Sequence, residues 1–308
     1  MRFETVGHRY GEAVPVRVAP WLMRLTWVLT CAAAVVAISD ALDGRSSMAV
    51  GAIGVGAWTI GGVVAVALIV PSTASLTLVR AAAPLAVVGG LATLIAGADG
   101  AASAAFLVAA SINALTAASG EVGEAFVQAS AYGDERRFPL RPPVAVIVPA
   151  VVSWSVWCAA LAGGALTLAA STWAVALPLL LIATGLTLFL TPRFHLLSRR
   201  WVVLVPAGLV LHDQFVLGDT LLVQRPALAG VELARAETHA NDLTGPASGH
   251  AVEVVLREPT TVILAGTRRA PRGPTTNVEA FLIAPTRPGR FLVAAGERRY
   301  LAMAPPNT

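Results

Sequence analysis

Three groups of polar residues have types and spacings that could carry chemistry, and the densest is His212, Asp213 and Asp219. An imidazole and two carboxylates can bind a cation or orient a partner. A structural zinc site needs four spaced ligands, and this group has only three candidates. The ordinary interpretation is a turn between strands in which an Asp bonds to nearby backbone, and we expect no metal here.

A second group, Asn113, Glu121, Glu124 and Gln128, falls on one side of a helical projection. Ionisable groups inside a bilayer mark ion or substrate pathways. Both Glu residues follow the apolar stretch, so we expect them beyond the membrane boundary. We therefore interpret Asn113, Glu121 and Glu124 as polar groups of a bundle interior and its edge.

The third group is basic: Arg268, Arg269 and Arg272 lie in the loop TRRAPRGPTT. On a soluble protein such a loop would simply be solvated. Attached to a membrane, it becomes a candidate contact for anionic lipid headgroups or a partner. Nucleic-acid binding would use aromatic residues between the basic ones, and this loop has none, so we expect no nucleic-acid partner.

Catalytic motifs are absent from the sequence, which contains no P-loop, G-x-S-x-G, H-E-x-x-H or dinucleotide fingerprint after a strand. Cys31 and Cys158 lie in apolar stretches without C-x-x-C spacing, so we interpret them as small apolar residues. We expect a non-enzymatic protein with no catalytic residue, cofactor or metal.

The composition is that of a membrane protein. Of 308 residues, 56% are hydrophobic and 13% are charged, and the mean hydropathy is +0.71. Soluble domains carry about 25% charged residues. All 22 basic side chains are Arg, which together with the Ala, Val and Gly content indicates codon bias in a GC-rich, actinobacterial genome.

Six apolar stretches have lengths that suit a bilayer core of about 30 Å. They place a transmembrane domain at residues 21–192, after an N-terminal segment at 1–20. The long polar leader favours a retained first span over a cleaved signal peptide. The stretches are 21–39, 48–70, 81–97, 101–119, 143–165 and 173–191.

The Arg distribution predicts the orientation. With six spans and a cytoplasmic N-terminus, one Arg, Arg45, falls in the outer loops, and the other loop Arg residues fall inside. Both termini are then cytoplasmic, in a multi-pass protein of the cell membrane. The segment 193–308 holds 13 Arg and 9 acidic residues, which accounts for the whole net charge of +4.

Residues 193–308 read as a β-rich domain closed by one helix. Pro206-Ala207-Gly208 and Glu258-Pro259-Thr260 predict hairpin turns, and Thr286 is the predicted N-cap of a helix over 288–299. The seven predicted strands are 201–205, 209–212, 221–224, 231–235, 251–257, 260–265 and 278–284.

Seven short strands and a C-terminal helix outline a small pleckstrin-homology-like (PH-like) barrel. Three stretches, RRWVVLVPAGLVLHDQFVLGDTLLVQR, AFLIAPTRPGRFL and AYGDERRFPLRPP, resemble multi-pass membrane proteins of actinobacteria that carry a C-terminal PH-like domain. The resemblance implies this fold and assigns no functional residues.

Two hypotheses about function follow. The first is a membrane scaffold whose cytoplasmic PH-like domain docks a cytosolic or membrane protein partner or the inner leaflet. The alternative is a small transporter or channel with a path lined by spans 3, 4 and 6. A polar, water-accessible cavity near Asn113 would favour the alternative.

Overall fold

A computed structural model describes residues 18–266, 271 and 273–300. Within these residues the chain forms two compact units. The helical unit comprises residues 18–129 and 149–195, and the β-rich unit comprises residues 130–148 and 196–300.

Six helices are long and apolar enough to cross a membrane, as the sequence predicted. Each holds 19 to 26 residues, so at 1.5 Å per residue each reaches about 30 Å or more. They are α1 (Ala19–Ala41), α2 (Ser47–Ile69), α3 (Thr73–Ile95), α4 (Gly100–Ala118), α6 (Val144–Ala169) and α7 (Trp173–Ser198).

The helix boundaries differ from the prediction at three places. Helix α3 begins at Thr73, eight residues before the predicted start, because Ser72 caps it. Helix α4 ends at Ala118, because Ser119 adopts an extended conformation and caps a separate short helix, α5 (Gly120–Gln128). Helix α7 continues past Thr191 and through Pro192 to Ser198.

Close helix packing occurs at glycines in α3 and α6. A Cβ at Gly90 would lie 2.9 Å from Leu107 of α4, and one at Gly164 would lie 2.7 Å from Leu180 of α7. The small residues of α2 act differently, since a Cβ at Gly56 would meet nothing within 4 Å. Small side chains in α2 therefore do not all mark tight helix contacts.

Eight strands and a short helix, α8 (Pro288–Glu297), make up the β-rich unit as the structure describes it. The strands are β1 (Arg136–Pro139), β2 (Trp201–Val205), β3 (Gly208–His212), β4 (Leu221–Gln224), β5 (Leu228–Leu233), β6 (Asn241–Asp242), β7 (Val252–Ile263) and β8 (Thr275–Ile283).

The strands form two four-stranded sheets, with orders β1-β2-β3-β4 and β5-β7-β8-β6. All pairs are antiparallel except β6 with β8. The predicted hairpin at Pro206-Ala207-Gly208 joins β2 to β3. The two sheets do not close into one ladder among the described strands, so the β-rich fold is established and the closed PH-like barrel is not confirmed.

Two local predictions in this unit are wrong. Glu258-Pro259-Thr260 does not turn the chain, because β7 runs through it with a register shift between Val255 and Thr260. Such a bulge accommodates a proline, which cannot donate to the ladder. Thr286 is not the N-cap of α8; its hydroxyl donates to the Pro139 carbonyl over 2.9 Å, and Arg287 occupies the cap position.

The edge strand β1 comes from the loop between α5 and α6, which lies within the predicted transmembrane domain at residues 21–192. It pairs antiparallel with β2, in register Phe138 with Val202. The side chains of Phe138 and Leu140 are buried in the core shared by both sheets. The Phe138 ring packs edge-on against Phe291 of α8 at 5.3 Å between centroids. The β-rich unit is therefore built from two separate chain segments.

Candidate functional site

The most buried polar cluster of the β-rich unit centres on Arg200. Its side chain is 1% exposed and that of its partner Asp213 is fully buried. The guanidinium donates from Nε to Asp213 Oδ1 over 2.8 Å and from Nη2 to Oδ2 over 2.6 Å. This is the two-pronged geometry in which an Arg–carboxylate pair is strongest.

Two backbone carbonyls complete the environment of this guanidinium. Nη1 donates over 2.5 Å to the carbonyl of Arg141, which lies between β1 and α6. Nη2 also donates to the Thr244 carbonyl over 3.1 Å. Arg200 thus joins the connection before α6, the connection after α7, the end of β3 and the loop after β6. We call Arg141, Arg200, Asp213 and Thr244 the arginine lock.

The hairpin register explains why Arg200 meets Asp213. Trp201 pairs with His212, so the residues just outside that pair lie opposite each other. Asp213 also accepts a hydrogen bond from the Phe215 amide over 3.1 Å, which fixes the carboxylate as the chain leaves β3. The pair has a structural role, because both carboxylate oxygens of Asp213 and the named guanidinium nitrogens of Arg200 bind other protein atoms.

His212 and Asp213 are neighbours in sequence but point to different partners. The imidazole of His212 stacks on the Trp201 ring at 5.0 Å, and its Nδ1 lies 3.1 Å from the Thr220 hydroxyl. Its Nε2 is buried and has no hydrogen-bond partner among the described residues. Burial lowers the pKa of His212, and the positive charge of Arg199 lowers it further.

Asp219, the third member of the predicted group, lies at the same turn but accepts from the Thr220 amide over 2.7 Å. The three side chains therefore do not converge. No cluster of three or more His, Cys, Asp or Glu that could hold a metal occurs in residues 18–266, 271 and 273–300. The turn interpretation fits this arrangement.

Asn113 lies in the helical unit, on α4. The side chain is fully buried, and its Nδ2 donates to the Thr26 hydroxyl of α1 over 2.9 Å. Its Oδ1 accepts no hydrogen bond from the described part of the chain. Of the two Glu residues, Glu124 is buried at 5% exposure and Glu121 is half-buried, both on α5.

The lipid-contact candidates Arg268, Arg269 and Arg272 lie outside the described residues. Their role stays a prediction. The hairpin that holds them is described up to Gly266 on one side and from Gly273 on the other.

The face of the first sheet opposite the core carries an apolar row across its strands. Val203 of β2 pairs with Val210 of β3, and Val210 pairs with Leu222 of β4. Leu222 is 53% exposed although it lies in a strand. The stacked Trp201 and His212 lie one pair further along the same face. We call Trp201, Val203, Val210, His212 and Leu222 the sheet face.

Sequence reasoning missed both the arginine lock and the sheet face. In the sequence, Arg200 indicates only one of the cytoplasmic positive charges that follow the sixth span. The predicted hairpin at Pro206–Gly208 could have placed it opposite Asp213, because a hairpin fixes the register of both strands. Nothing in the sequence of residues 136–139 indicates a pairing with a strand more than sixty residues away.

Comparison with known proteins adds no further identification: no protein-family model matches this chain, and neither does any curated protein or solved structure.

Proposed function

We propose that this chain is a non-enzymatic, multi-pass membrane protein whose β-rich domain is an interaction module for a protein partner. The proposal keeps the PH-like character of the domain, its cytoplasmic location and the cytoplasmic position of both termini. One observation carries the proposal: the β-rich domain contains both the chain segment before α6 and the chain segment after α7. Strand β1 precedes α6, and β2 begins three residues after α7 ends.

The arginine lock is the physical basis for a fixed module. Arg200 is the second residue after α7, and its guanidinium binds the carbonyl of Arg141, three residues before α6 begins. The Arg141 amide in turn donates to the Ala284 carbonyl at the end of β8 over 2.8 Å. The two entry points of the module are thus hydrogen-bonded within the module itself, and such preorganisation lowers the entropy cost of binding a partner.

The sheet face is the surface that we assign to the partner. The row is exposed at Leu222, half-buried at Val210 and Trp201, and buried at Val203. Apolar and aromatic residues of this kind are enriched at the centre of protein interfaces. Leu222 and Gln224 both project from β4, the edge strand of this sheet, and both are exposed. A partner can therefore reach the β4 end of the row directly.

Photo-crosslinking in native membranes tests this function. A benzophenone amino acid at Gln224 should give a discrete protein adduct, and Leu222→Arg should remove it without changing the abundance of the protein. The same probe at Glu258, an exposed residue of β7, is the matched control and should give no such adduct. Adducts that contain only lipid, or an adduct unchanged by Leu222→Arg, would contradict the proposal.

Docking on the inner leaflet through Arg268, Arg269 and Arg272, and transport along spans 3, 4 and 6, remain predictions. An apolar cavity in the described helical unit favours neither. It is lined by apolar side chains, and Asn113 is not among them.

A further inference from the structure

The helical unit contains an elongated apolar cavity of about 370 Å³. This volume lies within the range of small-molecule sites, about 300–1,000 Å³. On α1 the lining residues run from Trp27 to Leu42, and on α3 they run from Ala82 to Ala96. At 1.5 Å per residue each of these stretches is roughly 20 Å long, so the cavity is a slot that follows the helices.

The slot exists because α2 contacts different helices along its length. Its second half is hydrogen-bonded to α1, where the Trp27 indole donates to the Gly61 carbonyl over 3.3 Å and Arg24 donates to the Leu68 carbonyl over 3.0 Å. Its first half packs through Ala49 against Leu168 of α6 and Ala176 of α7. Between these contacts, small side chains leave the space open: Ala52, Gly56, Ala57 and Gly61 all line it.

The slot reaches the end of the helices that carries Arg45. Leu42 and Ala96 belong to its lining, and Arg45 Nη2 donates to the Ala96 carbonyl over 3.0 Å. The Arg45 side chain is exposed and forms no ion pair with any described residue. A cation therefore stands at the mouth of an otherwise apolar slot.

We infer that the slot binds one glycerophospholipid, with an acyl chain along α1, α2 and α3 and the lipid phosphate against Arg45. A site of this length and lining favours an apolar chain over a polar ligand, because polar groups would lose their hydrogen bonds to water there. The helices that bound the slot present exposed apolar residues, including Val55, Trp58 and Val66, to the same surroundings. Acyl chains are the molecules that such surroundings supply in a membrane.

The charge at the mouth selects the phospholipid over other apolar chains. A guanidinium recognises phosphate through charge-assisted hydrogen bonds, whereas a sterol or a hydrocarbon offers it nothing. Asp43 and Asp40 lie nearby in sequence, and Asp40 is already bonded to the Asp99 amide. The inference is independent of the partner-binding function proposed above.

Native mass spectrometry of the purified full-length protein, exchanged into phosphatidylethanolamine or phosphatidylglycerol nanodiscs, tests the slot. We expect one tightly retained phospholipid per chain. Gly56→Trp should fill the slot and remove this lipid, and Gly51→Trp is the matched control on the same helix, outside the lining. A Cβ at either position meets nothing within 4 Å, so neither change begins with a backbone clash. Equal retention in the two variants would overturn the proposal.

A separate pair of variants tests whether Arg45 binds the lipid phosphate. Arg45→Gln should lower phospholipid retention about tenfold, the loss expected for one charge-assisted hydrogen bond. Arg193→Gln, which changes an exposed Arg of α7, should leave retention unchanged. If Arg45→Gln retains phospholipid like the wild type, or if fatty acid alone is retained, the phosphate assignment is wrong.

A measurement on the wild-type protein tests the slot without relying on variants that could misfold. A phosphatidylcholine with a diazirine on its acyl chain should label slot residues such as Thr30, Cys31 and Ala34 after irradiation of the nanodiscs. Labelling confined to the outward residues Trp58 and Val66 would show that the slot holds no chain.

Discussion

Arg200 and Asp213 form a fully buried, two-pronged ion pair, with donor–acceptor distances of 2.8 and 2.6 Å, between the residue before β2 and the residue after β3. The pair closes the open end of the β2–β3 hairpin, opposite the turn at Pro206–Gly208. Because Arg200 also binds the Arg141 carbonyl, the same guanidinium holds both chain segments of the β-rich unit together.

Breaking this pair on one side should strongly destabilise the β-rich unit. Arg200→Leu leaves a buried carboxylate without its cation, and Asp213→Leu leaves a buried guanidinium without its anion. Removing one partner of a buried pair costs about 3–5 kcal/mol. Denaturant titration of the purified protein, followed by amide hydrogen exchange in β2 and β3, should show this loss for each single variant.

The double variant Arg200→Leu/Asp213→Leu separates pairing from desolvation. With both charges gone, the penalty of an unpaired buried charge disappears, and we expect the double variant to be more stable than either single one. The carbonyls of Arg141 and Thr244 would still lose their donor. Strictly additive losses would mean that the two side chains are not coupled.

The two-segment construction of the β-rich unit gives a second prediction. A fragment of residues 197–308 lacks β1, the Phe138 and Leu140 side chains and the Arg141 carbonyl. Burial of such apolar side chains contributes about 1.5–3 kcal/mol each. A fragment in which residues 130–143 are joined to 197–308 by a Gly-Ser linker should therefore unfold at higher denaturant concentration. Equal midpoints would mean that β1 adds no stability.

The sequence predicts the local elements of this fold and misses the pairing between distant segments. The six helices follow from local apolar length, and β2 and β4 follow from local strand composition, so their bounds agree with the prediction. Strand β1 depends on a partner across two transmembrane helices, and the continuity of β7 through Pro259 depends on a bulge. Such features arise from pairing between distant segments, which no local pattern encodes. The slot in the helical unit likewise arises because α2 contacts different neighbours at its two ends.

A third prediction concerns membrane topology. The strand pairing predicts which loops share a side of the membrane, and the Arg distribution predicts which side that is. Since β1 pairs with β2, the loop before α6 and the chain after α7 lie on the same side of the membrane. Reporter fusions after Arg137 and Thr308 should therefore agree with each other and oppose fusions after Asp43, Gly100 and Ala170. The Arg distribution predicts that the first two are cytoplasmic. A periplasmic signal at Thr308 would contradict the orientation and the proposed docking of a cytosolic partner.

The half-buried His212 predicts a pH dependence of stability. Its pKa in the folded protein is lowered by burial and by Arg199, so the unfolded chain binds more protons as the pH falls below about 6.5. This contribution to stability is therefore complete above that pH and is lost progressively below it. The melting temperature of the wild type should fall between pH 7.5 and 5.5, and His212→Gln should flatten the curve. His239→Gln, a change at an exposed His, should leave it unaltered.

The last prediction concerns Asn113, whose amide donates to Thr26 while its carbonyl oxygen accepts nothing from the described residues. An interhelical hydrogen bond in a membrane contributes about 0.6–2 kcal/mol, and an unsatisfied buried acceptor costs about 1–3 kcal/mol. Because the middle of the cost range exceeds the middle of the gain range, we expect Asn113→Leu to leave the bundle as stable as the wild type or more stable. Thr26→Val, by contrast, leaves the Asn113 amide with only the weaker Met23 sulfur as an acceptor, at 3.8 Å, and should destabilise the bundle.

A thermal unfolding series in detergent checks these signs. The double variant Thr26→Val/Asn113→Leu should recover the stability that Thr26→Val loses, since it removes both partners. A clear loss of stability in Asn113→Leu would mean that the carbonyl oxygen is satisfied in the membrane, by water or by a bound group. That result would reopen the transport hypothesis, because a hydrated Asn at this depth is the feature that a polar path along α3, α4 and α7 requires.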